Sequence, residues 1–566
     1  MAEALGQHDH RIVYVTCGRV YERYCIPMSA EGLEFSAVEA RKRQICMACE
    51  ARKSLLRKEF KFDGCDVSDL VSPEDLERAS ALSSPDEVSE LIELEVDGIA
   101  VGRTAAYEFL LNHKLSSFDF SESQLREYRV HLEHTIVTLW AAQRLFERER
   151  PDRVLLYNSA YSVNRVVVQA AEQRGITCYF LHAGGNLAYR LQTLMIGRDH
   201  TLAFLKNAVK HWDRLRGRPC PPDLMRKGVD YFIELIGGRS FFAYSDSKQG
   251  VTRSIRDRFG IAPGQKLLVA TLASPDERFS AELIGILPGR PDLLFPLQTD
   301  WIVVLKEIIA SRPDLFLIIR VHPREFPNKR EGVKSEHAQV LEKLLRDLPA
   351  NARVNWPSDG LSMYDLAEEV DLVLNSWSSV GKEMSLLGIP VLLYARDNTF
   401  YPSDLNYVGD TKESYLECID KALEEGWSAD RARKAFRWLA VEYGYALVNI
   451  EESFSRAEAK TRPLPMRLYN KIGRAVDPQF EDRRDCRRRA PQLREGSLVN
   501  DLIVQGLDTI LDSRGEKLPD TPTYAQETKS LKRELARLSG VLFGAAPDGP
   551  VTPLRRNLIA FINEPD

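Results

Sequence analysis

The sequence predicts an α/β protein: two sheets of buried parallel strands covered by helices, followed by a basic, partly helical C-terminal segment. Three observations carry this expectation. Short apolar runs, such as Leu315-Phe316-Leu317-Ile318-Ile319 and Leu372-Val373-Leu374, recur between stretches of helical periodicity. That is the pattern of strands buried on both faces in βαβ units. Several of these runs end in polar clusters, where open parallel sheets keep their ligand crevice. At 566 residues the chain also exceeds one ordinary domain.

Taken in order, Arg11 to Thr16 reads as a first strand ending at Cys17-Gly18-Arg19. Residues 31–60 have a helical pattern rich in Arg, Lys and Glu and carry Cys46-x-x-Cys49, with Cys17, Cys25 and Cys65 nearby. A structural zinc site usually shows two paired ligand groups, and a single pair is visible here, so ordinary packed thiols are the favoured expectation over zinc. Residues 73–97 read as a short acidic helical stretch. In Asp97-Gly98-Ile99-Ala100-Val101-Gly102-Arg103 the glycines fit either a plain turn or close backbone approach to a ligand. The long helix over about 122–150 carries His131 and His134, read as a solvated face for want of a carboxylate partner at helical spacing.

A βαβ unit follows. Arg153 to Tyr157 is a strand, Asn158 to Asn164 a loop, Arg165 to Arg174 a helix closed by Gly175, and Ile176 to Leu181 the next strand. That strand delivers His182-Ala183-Gly184-Gly185-Asn186, then Tyr189 and Arg190. With Asn158 and Tyr161, these residues are expected to face the same crevice as the strand ends of the later, C-terminal sheet. His182 is the leading general-base candidate because an imidazole titrates near neutrality, with a purely structural role as the alternative. Residues 200–250 read as helical and linking.

The second sheet begins with a helix over 251–259, a turn at Ala262-Pro263-Gly264 and a strand from Lys266 to Thr271, which ends in Leu272-Ala273-Ser274-Pro275-Asp276. An amphipathic helix over 300–311 is expected to pack on that sheet. The strand over 315–319 leads into Arg320-Val321-His322-Pro323-Arg324. After a helix near 362–369, the strand over 371–374 leads into Asn375-Ser376-Trp377-Ser378-Ser379 at a helix start, where free backbone N–H groups favour an anion. A phosphate is the expected guest. Ile389-Pro390 stops that helix, Val391 to Tyr394 is another strand, and the polar loop over 395–410 either covers a site or simply connects. Helices over 413–456 complete the unit.

These last motifs carry a resemblance. His322-Pro323 after a strand, Asn375-Ser376-x-Ser378-Ser379-x-Gly381-x-Glu383 and Gly388-Ile389-Pro390-Val391 resemble bacterial capsule- and surface-polysaccharide glycosyltransferases of the Kdo-transferase, polysialyltransferase and glycerophosphotransferase types. The resemblance implies two Rossmann-like domains facing a cleft (the GT-B fold). Residues 1–240 would be the acceptor domain, 241–455 the nucleotide-sugar donor domain and 456–566 a C-terminal extension. It places the donor phosphate on His322 and on Ser378/Ser379, and it makes the loop bearing Ser274 a third donor segment. Arg320, Arg324 and Ser376 accompany them at the strand ends. Glu383 either accepts from ribose hydroxyls or only supports its helix start. Asn158, Tyr161, Asn186 and Arg103 fall on the acceptor side, with His182 as base and Asp97 as runner-up.

The expected reaction moves a sugar from a CMP- or UDP-linked donor to a polysaccharide or glycolipid acceptor, with no further cofactor. Donor phosphate charge would be met by fixed donors and cations rather than by metal. No Asp-x-Asp follows a strand, and neither Gly-x-Gly-x-x-Gly nor a Walker P-loop is present. Two rivals share the fold: a nucleotide-sugar 2-epimerase, which needs no acceptor, and a non-catalytic binding module.

Composition sets the remaining expectations. A net charge of −5 gives no reason to expect nucleic-acid binding. Met1 to His10 is polar, no run reaches the length of a spanning helix, and nine cysteines are few, so a cytoplasmic protein is expected. Residues 456–494 hold twelve Lys/Arg against five Asp/Glu, with Leu464, Met466, Leu468, Tyr469 and Ile472 interspersed. Peripheral contact with an anionic membrane and a solvated basic linker fit this mix equally.

Overall fold

The computed structural model describes residues 1–238, 244, 246–249, 254–289, 293–328, 332–396, 398–453, 464–477, 479–480, 483, 493–515, 518, 521–544 and 551–565. Most of the basic stretch over 456–494 and part of the helix expected over 251–259 lie outside these residues.

Strand β1 (Val13–Thr16) pairs in parallel with β2 (Asp63–Asp66) as a separate two-stranded ribbon, spanned by helix α1 (Glu39–Phe60). The first expected strand is therefore present but does not join a larger sheet. Helices α2 (Val101–His113), α3 (Glu122–Glu149) and α4 (Ser162–Glu172) pack together around Phe109, Tyr128, Leu132, Ile136 and Val166, all fully buried. Buried with them is a polar cluster that corrects the solvated-face reading of α3. His131 and His134 lie in the interior. The Nδ1 of His131 is 3.4 Å from Glu108, and its partner at helical spacing is Glu127, four residues earlier.

The smaller sheet runs, in order across it, β12 (Val448–Asn449), β5 (Thr193–Arg198), β4 (Thr177–Ala183) and β3 (Arg153–Tyr157). Strands β3 (Arg153–Tyr157) and β4 (Thr177–Ala183) are parallel, as the βαβ reading requires. Strand β5 (Thr193–Arg198), not expected from the sequence, runs antiparallel to β4. Helix α5 (Pro222–Ile236) follows.

The larger sheet is wholly parallel. It is built from β6 (Lys266–Thr271), β7 (Leu315–Arg320), β8 (Ala352–Asn355), β9 (Leu372–Asn375), β10 (Val391–Leu393) and β11 (Tyr407–Val408), in the order β11-β10-β9-β6-β7-β8. Every side chain of β7 and β9 is buried, which is why these strands read as unbroken apolar runs. Helix α6 (Pro275–Leu283) leads from β6, α7 (Gln298–Ser311) covers the sheet through Trp301, Ile302 and Leu305, and α8 (Val380–Leu386) follows β9. The chain starts at β6, winds outward through β7 and β8, then returns to β9 on the other side of β6. Between β6 and β9 the direction of winding reverses, and the carboxyl ends of the strands open into a crevice there. Register aligns Thr271 with both Arg320 and Asn375, so three strand ends finish at one level.

The chain then crosses back. Helix α9 (Ala429–Ala440) runs into a π-helical turn, and β12 (Val448–Asn449) pairs antiparallel with β5 of the smaller sheet. After α10 (Leu464–Val476), the helices α11 (Gly496–Val504), α12 (Tyr524–Phe543) and α13 (Pro553–Asn563) do not form a free extension. Leu531, Leu535, Leu538 and Leu542 of α12 and Leu554 and Leu558 of α13 join the same core as α5 and α9, while Val499 and Leu502 of α11 pack under the smaller sheet. The α12 Glu527 carboxylate is fully buried and accepts two hydrogen bonds from Arg437, at 2.8 and 2.6 Å. Among the described residues no helix is long and apolar enough to cross a membrane.

Candidate functional site

A cavity of about 300 Å³ opens where the winding of the larger sheet reverses. Its floor comes from the ends of β6 (Thr271, Leu272) and β7 (Arg320 to Pro323) and from the β9–α8 turn (Ser378, Ser379, Val380, Glu383). Gly185, Leu187 and Arg190, from the loop between β4 and β5, lie across it, with Tyr231 of α5 and Tyr244 completing the wall. Five residues expected at a phosphate site therefore share one cavity: Arg320, His322, Ser378, Ser379 and Glu383.

His322 is held in one state. It caps the short 3-10 turn Pro323–Glu325, and its Nδ1 accepts from the backbone N–H of Arg324 at 3.2 Å, with the Ser274 hydroxyl 3.3 Å away. With Nδ1 acting as acceptor, the neutral ring carries its proton on Nε2. Burial, with the nearby cations of Arg324, Arg320 and Lys114, pushes its pKa down to about 3. At neutral pH it is an uncharged N–H donor facing the cavity. The Ser274 hydroxyl also bonds the carboxyl of Glu325, which burial lifts to about 7.

Arg320 is buried and donates to Asn355 Oδ1 and, at 2.7 Å, to the Leu361 carbonyl. Burial lowers its pKa to about 10, so it stays cationic. Ser378 Oγ accepts from the Val380 N–H at 3.3 Å, which leaves its own proton as a donor. Ser379 is exposed and donates to Glu383 at 2.8 Å, and the other Glu383 oxygen accepts from Tyr364 at 3.0 Å. Burial raises the Glu383 pKa. Helix α8 has seven residues, so fixed side-chain donors, more than its terminus, set the chemistry of this turn.

The loop across the cavity is rigidly folded. The Gly184 N–H donates to the carbonyls of Arg190 and Thr193, and a Cβ at position 184 would stand 1.9 Å from Thr193 Oγ1, so a larger residue there would force Thr193 to move. Asn186 is buried and donates to the Lys227 carbonyl at 2.9 Å, and Tyr189 donates to Asp230 at 2.6 Å, pinning the loop to α5. Arg190 donates to the Gly184 carbonyl at 3.3 Å.

Other expected residues lie elsewhere. Ser376 is buried and spends its hydroxyl on the Thr271 carbonyl. Arg324 is buried behind the His322 turn, bonded to Asp276 at 2.6 Å and to the Leu111 carbonyl at 2.7 Å. Ser274 is likewise buried and touches the cavity only through His322. His182 is not in a loop but within β4, opposite Met195, stacked on Tyr157 with ring centroids 5.3 Å apart. Its Nδ1 lies 2.9 Å from the Ala183 carbonyl, and burial lowers its pKa. Asp97 is an exposed turn residue with positive φ, and Arg103 is exposed and paired with Glu93. Asn158 and Tyr161 lie at the end of β3 and the start of α4. None of His182, Asp97, Arg103, Asn158, Tyr161 or Asn186 lines the cavity. Strand β4 runs two residues further than expected and pairs with β5, which places His182 inside the sheet, while the loop after it reaches the cavity through Gly185 and Arg190, as expected.

Tyr231, Tyr244 and Met363 line the cavity without having been singled out. They come from segments with no local motif, and only the fold brings them in. Among the described residues, no group of three or more His, Cys, Asp or Glu side chains is placed to hold a metal ion.

No family model matches this sequence, and no curated protein matches it. Among solved structures it is similar to the KpsC beta Kdo 2,4 transferase of Thermosulfurimonas dismutans, at 17% identity over 53% of this chain and 81% of that one, with a TM-score of 0.33. It is also similar to a putative UDP-N-acetylglucosamine 2-epimerase of Listeria monocytogenes, at 13% identity over 57% of this chain and 76% of that one, with a TM-score of 0.25. A third likeness is to the S. aureus MnaA–UDP structure, at 14% identity over 55% of this chain and 74% of that one, with a TM-score of 0.26.

Proposed function

We propose that the protein is a metal-independent glycosyltransferase that takes its sugar from a CMP- or UDP-linked donor and passes it to a surface-polysaccharide or glycolipid acceptor. The observation that carries this reading is the cavity's set of fixed donors. The Nε2–H of His322, the Arg320 guanidinium and the Ser378 hydroxyl converge where the winding of a parallel sheet reverses, with Ser379 holding Glu383 beside them. In sugar transfer from a nucleotide, negative charge grows on the departing phosphate, and donors already in place stabilise it without reorganising. A neutral His322 suits this because it contributes a directed hydrogen bond without requiring a proton from solution. Glu383, held by Ser379 and Tyr364, is then a receptor for sugar or ribose hydroxyls.

In this reading residues 241–455 hold the donor and residues 1–240 present the acceptor, whose path into the cavity passes Gly185 and Arg190. His182 and Asp97 have no cavity contact to support them as the base.

Thermal unfolding with CMP, CDP, UDP and GDP in turn tests the proposal. A nucleotide at a hundred times its dissociation constant stabilises by about 2.7 kcal/mol. The expected result is stabilisation by CMP or by UDP or CDP, lost in His322→Ala. No shift with any nucleotide would overturn the reading. Conversion of UDP-N-acetylglucosamine to its 2-epimer without acceptor would assign the cavity to an epimerase instead.

A further inference from the structure

Helix α10 (Leu464–Val476) has the sequence LPMRLYNKIGRAV: three basic residues and no acidic one. Its apolar side chains follow a four-residue spacing and face outward. Leu464 is 77% exposed, Leu468 59%, Ile472 57% and Val476 83%, with Tyr469 beside them at 56%. At ~100° per residue these positions sweep an arc of roughly 140°. Arg467 and Lys471 occupy positions along one flank of that arc. The face turned away from that arc is where the helix is held: Asn470 is buried and Phe480 lies against Gly473, with the Phe480 and Tyr469 rings edge to face at 5.2 Å. An ordered helix thus turns an aliphatic row to solvent while another of its sides is already occupied.

We propose that this helix is a membrane-docking element that lies flat on an anionic bilayer. Leu464, Leu468, Ile472 and Val476 enter the headgroup boundary, and Arg467 and Lys471 meet the lipid phosphates. Charge selects this occupant. A second copy of the same helix would bring three cations against three more, whereas an anionic surface neutralises them while covering the aliphatic row. Long basic side chains on the flank of an apolar arc extend to the headgroups as their stems follow the hydrocarbon. The inference rests on α10 alone and is independent of the reading of the cavity.

The test is co-sedimentation of the full chain with vesicles of phosphatidylcholine alone and of phosphatidylcholine mixed with phosphatidylglycerol, at low and high salt. The expected result is binding to the mixed vesicles, weakened by salt. Leu468→Asp/Ile472→Asp should abolish it. Lys471→Gln should lower the partition coefficient by about fivefold, the effect of one basic residue at such a surface. Nucleotide-induced stabilisation should be unchanged in these variants, which separates this outcome from failure of the cavity reading. Absence of wild-type binding to the mixed vesicles, or equal binding by Leu468→Asp/Ile472→Asp, would overturn the proposal. So would a dimer dissolved by that double substitution, which would make the occupant a second copy, or loss of fold stability in it, which would place the row against the protein body.

Discussion

The Lys114 ammonium, fully buried at the end of α2, donates to the carbonyl oxygen of Arg324 at 2.6 Å, two residues beyond His322. It also donates to the Val333 carbonyl at 2.6 Å. The same α2–α3 turn receives Glu336, whose carboxylate accepts from the Ser116 N–H and the Ser117 hydroxyl. A turn from the helices beside the smaller sheet therefore clasps the His322 turn of the larger one.

Lys114→Met is predicted to weaken nucleotide binding without touching the cavity. It strands buried carbonyls, at about 1–3 kcal/mol each, and frees the turn that aims His322. Calorimetry with the stabilising nucleotide should show a higher Kd, largely restored in Lys114→Arg. An unchanged Kd in a folded Lys114→Met protein would remove the clasp from the site's function.

His322 predicts an acid-sensitive slope. In the unfolded chain the imidazole binds a proton below its ordinary pKa of 6.5, whereas in the fold it does not until about 3. In that window the unfolded state holds more protons, so stability decreases as pH falls from 6.5 to about 3, by ~1.4 kcal/mol per unit for this group. His322→Gln, which keeps an N–H donor near the Nε2 position, should flatten the slope by one proton and retain part of the nucleotide affinity. His322→Ala should flatten it equally and lose roughly tenfold or more in affinity, the worth of a hydrogen bond to a charged group.

The buried cluster on α2 and α3 predicts the opposite slope on the alkaline side. Burial pulls His131 down, but its pairing with Glu108 and Glu127 outweighs this and lifts it to about 9. Its contribution is complete below 6.5 and is lost as pH rises through about 9. Burial would raise Glu127, yet His113 and His131 hold it at about 2. Glu127→Gln should therefore reduce stability near neutrality and make unfolding less steep between pH 7 and about 9. An unaltered alkaline slope would count against charge on His131.

Glu527 tests whether the C-terminal helices belong to the body. Glu527→Ala leaves the Arg437 guanidinium and the Cys220 N–H without their buried acceptor, a loss of about 3–5 kcal/mol. Limited proteolysis should then cut near α12 faster than in the wild type. Equal resistance would mean that the leucine row holds α12 without the ion pair.

Sequence alone determined the parallel strands of the larger sheet, because side chains buried on both faces must be apolar along the whole strand, as in Leu315 to Ile319. It also located His322, Ser378 and Ser379, because polar residues at the ends of such strands fall in the crevice wherever the sheet reverses. Of the residues expected at the crevice from the first βαβ unit, Gly185 and Arg190 line the cavity, whereas His182 lies inside β4 because that strand runs on to pair with β5. The antiparallel β5 was hidden in the short apolar run Leu194-Met195-Ile196. For His131 the carboxylate at helical spacing, Glu127, was there to be read, but its burial and its second partner Glu108 come from packing against another helix. Tertiary structure alone decided that Tyr231 and Tyr244 share a cavity with His322, Ser378 and Ser379, and that Lys114 and Glu527 are buried. These placements depend on contacts between residues far apart in the chain, and no local period or spacing encodes such contacts.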